Sequence, residues 1–238
     1  AYCIFTIPNQ KRYSMIKKLF QTILLKMGKS YSIDESIPNS LLVSVLINRF
    51  LMLARGMIFL RKKVFLGNSC KVLNKSNFVF GKSVTIERHT VLDGYAKNKI
   101  ILGDGVKIGA YSCLTTTSHL SKYGIGLKMG NNSAIGDYTH FGASGGIEIG
   151  NDVIMGSYIS FHSENHIFTD KEKLIREQGV TSKGIKLGNN IWVGAKVTFL
   201  DGARIGNNSV VAAGAVVNGV FPDNVVIGGV PAKIVKEI

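Results

Sequence analysis

The chain has 238 residues, of which 45% are hydrophobic and only 18% charged, so it can bury a core and is not a disordered protein. Its net charge of +14 comes mostly from residues 1–66, which hold 11 Lys and Arg against two acids; because no groove-binding motif accompanies them, a nucleic-acid partner is not expected. Three separated cysteines, Cys3, Cys70 and Cys113, exclude a disulfide framework and favour reduced thiols in the cytoplasm.

The first domain, residues 1–66, is predicted to be a basic and amphipathic helical segment. In "QKRYSMIKKLFQTILLKMGK" (10–29) the apolar residues recur at helical spacing, with lysines on the other face. The next stretch, "SLLVSVLINRFLMLARGMIFLRKK" (40–63), approaches the length of a membrane span but is interrupted by Asn48 and two arginines. Two roles stay open: peripheral contact with an anionic membrane on its cytoplasmic face, or covering the end of the following domain or packing between copies.

From Phe80 onward the chain repeats with a period of six. The clearest run, "LGNNIWVGAKVTFLDGARIGNNSVVAAGAV" (187–216), has an apolar residue at every sixth position, usually followed by Gly. This period matches neither a helix nor a simple alternating strand. It is typical of a parallel β-solenoid, in which three hexads close a triangular coil and the apolar residues point inward. We therefore predict an all-β solenoid over residues 67–220 and a C-terminal tail at 221–238.

The repeat is interrupted at residues 94–101, 117–126 and 163–186. Extensions of this size project from a solenoid and often carry function. The longest begins directly after His162 and contains His166. Histidine is the usual general base near neutral pH, so either side chain could deprotonate an acceptor. Two nearby acids, Glu164 and Asp170, are either orienting carboxylates for that base or ordinary solvated loop residues.

The hexads and the ending "FPDNVVIGGVPAKIVKEI" resemble the hexapeptide-repeat acyltransferases, in particular the galactoside and maltose acetyltransferases. This resemblance implies a left-handed parallel β-helix, a homotrimer with sites between subunits, and acetyl-CoA as co-substrate without a metal. "SENHIFTD" resembles the Asn-His form of the motif that holds the catalytic histidine in this branch, which nominates His166. "FHSEN" resembles the Gly-His form and nominates His162.

The resemblance also assigns six residues to the cofactor: Trp192, Ala195, Ala213, Asn218, Lys233 and Lys236. The two alanines would line the pantetheine arm, where small side chains let the backbone approach, and Asn218 would lie further along it. The two lysines would meet the phosphates as point charges, since relatives often have Arg there. Two roles stay open for Trp192, bordering the cofactor or packing at a corner of the solenoid.

These features predict an acetyl-CoA-dependent O-acetyltransferase that acts on a sugar hydroxyl, with direct transfer in a ternary complex. The saccharide would belong to a surface polysaccharide: capsular, O-antigen or exopolysaccharide. N-acetylation of an amino sugar is the alternative within the same class, since one base would serve both acceptors. A metal enzyme resembling the gamma-class carbonic anhydrases, with His140, His162 and His166 as ligands, is a more distant alternative.

Overall fold

The structure is a computed structural model that describes residues 14–26 and 32–238. The chain divides into two compact units, residues 1–51 and 52–238. Helix α1 spans Met15–Lys26, so part of the helix predicted at 10–29 lies outside the described residues. Helix α2 spans Asn39–Arg55 and is followed by a π-helical turn at Gly56–Leu60.

The second unit is a three-sided coil of short strands. The first sheet contains Phe65–Leu66, Thr85–Ile86, Lys107–Ile108, Ala134–Ile135, Ile154–Met155, Trp192–Val193, Val210–Val211, Val225–Gly229 and Ala232–Glu237. The second sheet contains Lys71–Leu73, Val91–Asp93, Cys113–Thr115, His140–Gly142, Ser160–His162, Thr198–Leu200 and Val216–Val217. The third sheet contains Phe78–Phe80, Ile100–Leu102, Leu127–Met129, Ile147–Ile149, Ile185–Leu187, Arg204–Ile205 and Val220–Phe221. Short 3-10 helices lie at Lys75–Asn77 and Ile175–Glu177.

Within each sheet the strands pair in parallel with the strand of the next coil. In the second sheet, Phe141 lies between Leu114 and Phe161, and Phe161 is paired with Phe199 on its other side. Within the first sheet, the last strand, Ala232–Glu237, turns back antiparallel. The predicted all-β solenoid of hexads, a parallel β-helix with an N-terminal helical segment, is therefore confirmed.

The apolar residue of each hexad points into the coil, as the period of six predicts. Leu187, Val193, Phe199, Ile205 and Val211 are all buried, and they belong to one continuous core. Inside the second sheet, three phenylalanine rings stack along the coil axis, with centroids 5.3 and 5.0 Å apart. These interior contacts between neighbouring coils stabilise the column.

We name the corners by the sheets that they join: the first corner leads from the first to the second sheet, the second from the second to the third, and the third from the third back to the first. The third corner carries an uninterrupted ladder of Asx side chains: Asp104, Asn131, Asn151, Asn189, Asn207 and Asp223. Each side-chain oxygen accepts the backbone N–H of the corresponding residue one coil earlier, at 2.6–2.8 Å. The recurring Asn after Gly in the hexads therefore serves to satisfy backbone donors at this turn.

Apolar residues pack at the beginning of the column, and the last strand closes one sheet at its other end. Leu60, Val64 and Leu66 join the interior cluster at the beginning of the second unit. At the other end, the antiparallel strand Ala232–Glu237 pairs with Val225–Gly229 and closes the edge of the first sheet. Covered edges are what a solenoid needs to avoid strand-to-strand association.

Candidate active site

The longest interruption leaves the second corner as a hairpin. Its two short strands, Asn165–His166 and Val180–Thr181, pair antiparallel. Beyond them, the N–H of Ile167 donates to the carbonyl of Gly179 at 3.0 Å, and Gly179 takes a φ of 83° that disfavours side chains. The ring of His166 is exposed on this hairpin, so it can meet molecules outside the coil.

Both ends of the hairpin are anchored to the β-helix by buried polar side chains. The hydroxyl of Ser163 donates to the carbonyl of Gly142 at 2.7 Å. On the returning side, Asp201 Oδ1 accepts the N–H groups of Lys183 and Gly184 at 2.7 and 2.8 Å. The sequence prediction missed Asp201, although its Asp-Gly pair within the hexads is a turn signal. These contacts restrain the backbone on both sides of His166.

Glu164 connects the hairpin to the neighbouring excursion at residues 117–126. Its carboxylate accepts the hydroxyls of Ser118, at 3.0 Å, and Ser182, at 3.3 Å. Lys122 Nζ lies 3.6 Å from the same carboxylate and also donates to Ser182. The partly buried carboxylate thus joins two loops and the returning strand of the hairpin, which is a bracing role rather than that of a solvated loop acid.

Replacing Glu164 by Gln is expected to loosen both loops. The change replaces the carboxylate, which accepts two hydroxyls, by a neutral amide, and it removes the ion pair with Lys122. We therefore expect the free energy of local opening to fall by about 1–2 kcal/mol. Amide hydrogen exchange should quicken in residues 117–126 and 163–186 while the third sheet is unchanged. Asp170→Asn is the matched control, because the contacts of the Asp170 carboxylate, with the N–H of Glu172 and the ammonium of exposed Lys173, stay within the loop tip. Equal exchange in the two variants would contradict the bracing role.

The structure places the two candidate histidines on different surfaces. His162 ends the strand Ser160–His162, and its Nε2 lies 2.8 Å from the hydroxyl of Ser160. Its ring is 5.9 Å from that of His140 on the outer face of the second sheet. Burial, and then the neighbouring His162, lower the pKa of His140. Within residues 14–26 and 32–238, no three His, Cys, Asp or Glu side chains are grouped so that they could hold a metal ion.

Two exposed alanines, Ala195 and Ala213, form a strip of small residues at the first corner. The coils approach closely here: a Cβ added to Gly156 would lie 2.7 Å from the backbone nitrogen of Ala195. One added to Gly194 would lie 2.5 Å from that of Ala213. The glycines are required for this close contact between coils, while the exposed alanines present only a methyl group each to the outside.

The two predicted phosphate ligands, Lys233 and Lys236, are both exposed on the last strand. They pair with Gly228 and Val226 of the preceding strand, and the register shifts between these two pairs. The shift leaves Val235 as the extra residue, so lysines three positions apart lie on one face. The ammonium groups of Lys233 and Lys236 therefore lie on the same face at the C-terminal end of the column, the end at which the alanine strip is found.

Trp192 and Asn218 fall on different sides of the coil. Trp192 is exposed on the outer face of the first sheet, between Ile154 and Val210 of the neighbouring coils. Asn218 follows the strand Val216–Val217 and lies at the second corner, the one from which the hairpin of His166 leaves. The predicted site residues thus form two groups, one at each edge of the second sheet.

An aromatic stack at the first corner was not predicted. The rings of His89, Tyr111, Tyr138 and Tyr158 follow one another with centroids 4.9–5.0 Å apart and nearly parallel planes. All four residues take a positive φ, which aligns them at the turn. The next coil places Lys196 at this position, beside Ala195. The aromatic stack therefore lies in the row next to that of the alanines, in the coils nearer the N-terminus.

Comparison with known proteins agrees with this architecture. Residues 184–219 match the bacterial transferase hexapeptide family, described by six repeats. The putative lipopolysaccharide biosynthesis O-acetyl transferase WbbJ of Escherichia coli K12 is 27% identical over 222 residues, which are 90% of this chain and 94% of WbbJ. The galactoside O-acetyltransferase of the same organism is 32% identical over 49% of this chain and 56% of that protein, so the chain spans about half of it.

Among solved structures, a hexapeptide-repeat-containing acetyltransferase from Vibrio cholerae is 26% identical over 56% of this chain and 74% of its own, with a TM-score of 0.45. The matched relatives carry the names of acetyltransferases and support the predicted acyltransferase class of enzyme. The predicted left-handed β-helix agrees with the family match, which is built on hexapeptide repeats. The chain is thus a hexapeptide-repeat protein that resembles the acyltransferases of this type, as its sequence predicted.

Proposed function

We propose that the protein transfers an acetyl group from acetyl-CoA to a hydroxyl group of a sugar. The observation that carries this proposal is the exposed His166 on a hairpin anchored at both ends, in a chain that resembles sugar O-acetyltransferases. An anchored, exposed imidazole suits a general base, because it needs a fixed position and access to the acceptor.

His166 would accept the proton of the sugar hydroxyl as its oxygen attacks the thioester carbonyl. The carbon–sulfur bond then breaks, the acetyl ester forms, and the CoA thiolate takes up the proton held by His166. A backbone N–H would stabilise the oxyanion of the tetrahedral intermediate. One residue thus serves first as base and then as acid, so that no covalent acetyl-enzyme is needed.

The first corner supports binding of the CoA molecule. The strip of Ala195 and Ala213 suits the extended pantetheine arm, and Trp192 borders this strip on the adjoining sheet. Lys233 and Lys236 stand on one face at the end of the column, where they would neutralise the phosphates. The chemistry of these residues therefore matches a long, partly extended anion.

We propose a homotrimer in which each site lies between two copies. A strand of three residues separates the corner of His166 from the corner of Ala195, a distance on the order of 10 Å at the rise of a β-strand. The outer face of the second sheet also suits an interface: its middle coils present Cys113, His140 and Ser160, while the third sheet presents Lys128 and Glu148. A second copy would bring a hairpin of His166 to the alanine strip.

The acceptor is proposed to be a saccharide of a surface polysaccharide. This assignment rests on the similarity to WbbJ, whose name places it in lipopolysaccharide biosynthesis and which this chain matches over nearly its whole length. The acetyl-CoA and the activated sugars for such polymers are available in the cytoplasm, where we expect the protein to act.

The test is to incubate the protein with acetyl-CoA and a panel of sugars and to measure thiol release. Products are then treated with mild alkali, which cleaves an acetyl ester and leaves an acetamide intact. Alkali-labile acetyl groups are the expected result. Stable acetamides on amino sugars would establish the N-acetylating alternative instead, and the absence of any thiol release above the acetyl-CoA control would overturn the proposal.

Removing both lysines of the last strand is expected to weaken acetyl-CoA binding. Lys233→Ala with Lys236→Ala should raise KM for acetyl-CoA by roughly tenfold or more, because two charge-assisted contacts to phosphate are lost. KM for acetyl-pantetheine, which lacks the phosphoadenosine part, should not change. Lys128→Ala, an exposed lysine of the third sheet, is the control. An equal rise with both acyl donors would place these lysines outside the phosphate site.

A further inference from the structure

Helix α2 and the turn that follows it leave a stripe of large apolar side chains uncovered. Ile47, Phe50 and Ile58 expose 56%, 71% and 70% of their surface, and Val43 and Leu51 are also exposed. At 3.6 residues per turn these positions fall on one side of the helix. Exposed apolar surface of this extent is typical of a protein or membrane interaction site.

By length and composition, the helical segment Asn39–Leu60 is long and apolar enough to cross a bilayer. Its C-terminal end, however, is packed within the protein: Met52, Gly56 and Leu60 are buried, whereas Leu41 and Val45, on the same side but nearer the start of the helix, are exposed. A Cβ added to Gly56 would lie 1.9 Å from the carbonyl oxygen of Val64. Because this end is packed against Val64, lipid cannot surround the segment over its whole length, and the segment suits the surface of a bilayer and not its centre.

The positive charge around the stripe indicates an anionic partner. Residues 36–86 contain eight Lys and Arg residues and no Asp or Glu. Arg61, Lys62 and Lys63 are exposed and follow directly on the apolar stripe. A second copy would bring the same cations against one another, whereas anionic lipid headgroups attract them. Helices that lie in a membrane interface typically combine exposed apolar side chains with clustered cations, as this segment does.

We propose that this stripe docks the protein peripherally on an anionic lipid bilayer, with Ile47, Phe50 and Ile58 in the interface and the Arg61–Lys63 cluster on the headgroups. This placement would hold the enzyme beside acceptors that are carried on lipid. The proposal does not depend on the acetyl transfer, because binding is measured without either substrate.

The experiment uses the whole protein and sedimenting vesicles of phosphatidylcholine, with or without about 30% phosphatidylglycerol. The wild-type chain is expected to bind the anionic vesicles at least about tenfold more strongly than the neutral ones, and to be released by about 0.5 M salt or alkaline carbonate. Binding that is equal for the two vesicle types, or absent, would overturn the proposal. Retention after the carbonate wash would indicate a spanning helix and also overturn it.

Substitutions test whether vesicle binding depends on the apolar stripe and its cations or on nonspecific adsorption of the protein. Ile47→Asp with Phe50→Asp, and separately Lys62→Ser with Lys63→Ser, should each lower anionic vesicle binding by about tenfold or more. Val79→Asp, on the outer face of the third sheet, should bind as the wild type does. Light scattering without vesicles should give one oligomeric mass for all variants. A changed mass for the Ile47 and Phe50 variant would assign the stripe to a contact between copies.

Discussion

Replacing His166 by alanine is expected to lower kcat by about 10²–10⁴-fold, the usual contribution of a general base. The acceptor hydroxyl then keeps its proton as it attacks the thioester, while the acetyl-CoA site proposed at the first corner is left intact. KM for acetyl-CoA should therefore change little. The measurement is thiol release at saturating acetyl-CoA, with unfolding midpoints to show that the variant is folded.

His162→Ala is the matched control, four residues earlier in the chain. Its ring lies on the outer face of the second sheet and is engaged by Ser160, whereas His166 stands free of the coil on the hairpin. We therefore expect His162→Ala to keep kcat within a few-fold of the wild-type value. The opposite ranking, with His162→Ala inactive and His166→Ala active, would transfer the role of base to His162.

Phe161→Ala is expected to lower the free energy of unfolding by about 3–5 kcal/mol. Phe161 is fully buried between Phe141 and Phe199, so the change leaves a cavity at the centre of the ring stack. Urea unfolding at one fixed protein concentration measures the loss. Since Phe161 directly precedes His162 and the hairpin, activity should also become sensitive to lower urea concentrations.

Phe168→Ala provides the comparison for this prediction, because Phe168 lies exposed in the hairpin loop. Removing an exposed ring of the same size should change the unfolding free energy by less than about 0.5 kcal/mol. Similar losses in both variants would mean that the interior stack does not stabilise the column more than a loop residue does.

Much of the site could be predicted because it lies where a regular pattern fails. The hexads stop after His162, so the sequence marks the excursion, with His162 directly before it and His166 within it. The partners of Glu164 could not be predicted in this way. Ser118 is 46 residues away from it in the chain, and the two meet only because both excursions leave the same corner. The loops that interrupt the hexads follow no repeat, so the spacing of residues in the sequence does not predict which loop residues contact one another.

The relative position of the two lysines in the C-terminal tail is a second feature that the sequence alone could not predict. Alternation along a strand would put Lys233 and Lys236 on opposite faces. The register shift at Val235 reverses this and brings them together. Such a bulge depends on how the last strand pairs with Val225–Gly229, which the residues of the tail do not reveal by themselves.

The sequence alone determined the β-helix, the inward position of each sixth residue and the place where the column is interrupted. These features repeat locally, and each hexad meets the same burial requirement in every coil. Only the tertiary structure decided which residues of different coils stand together: the Asx ladder, the tyrosine stack, the bracing by Glu164, and the division of the predicted site between two corners. These depend on stacking coils that are 16 to 46 residues apart in the chain, and on loop lengths that no period describes.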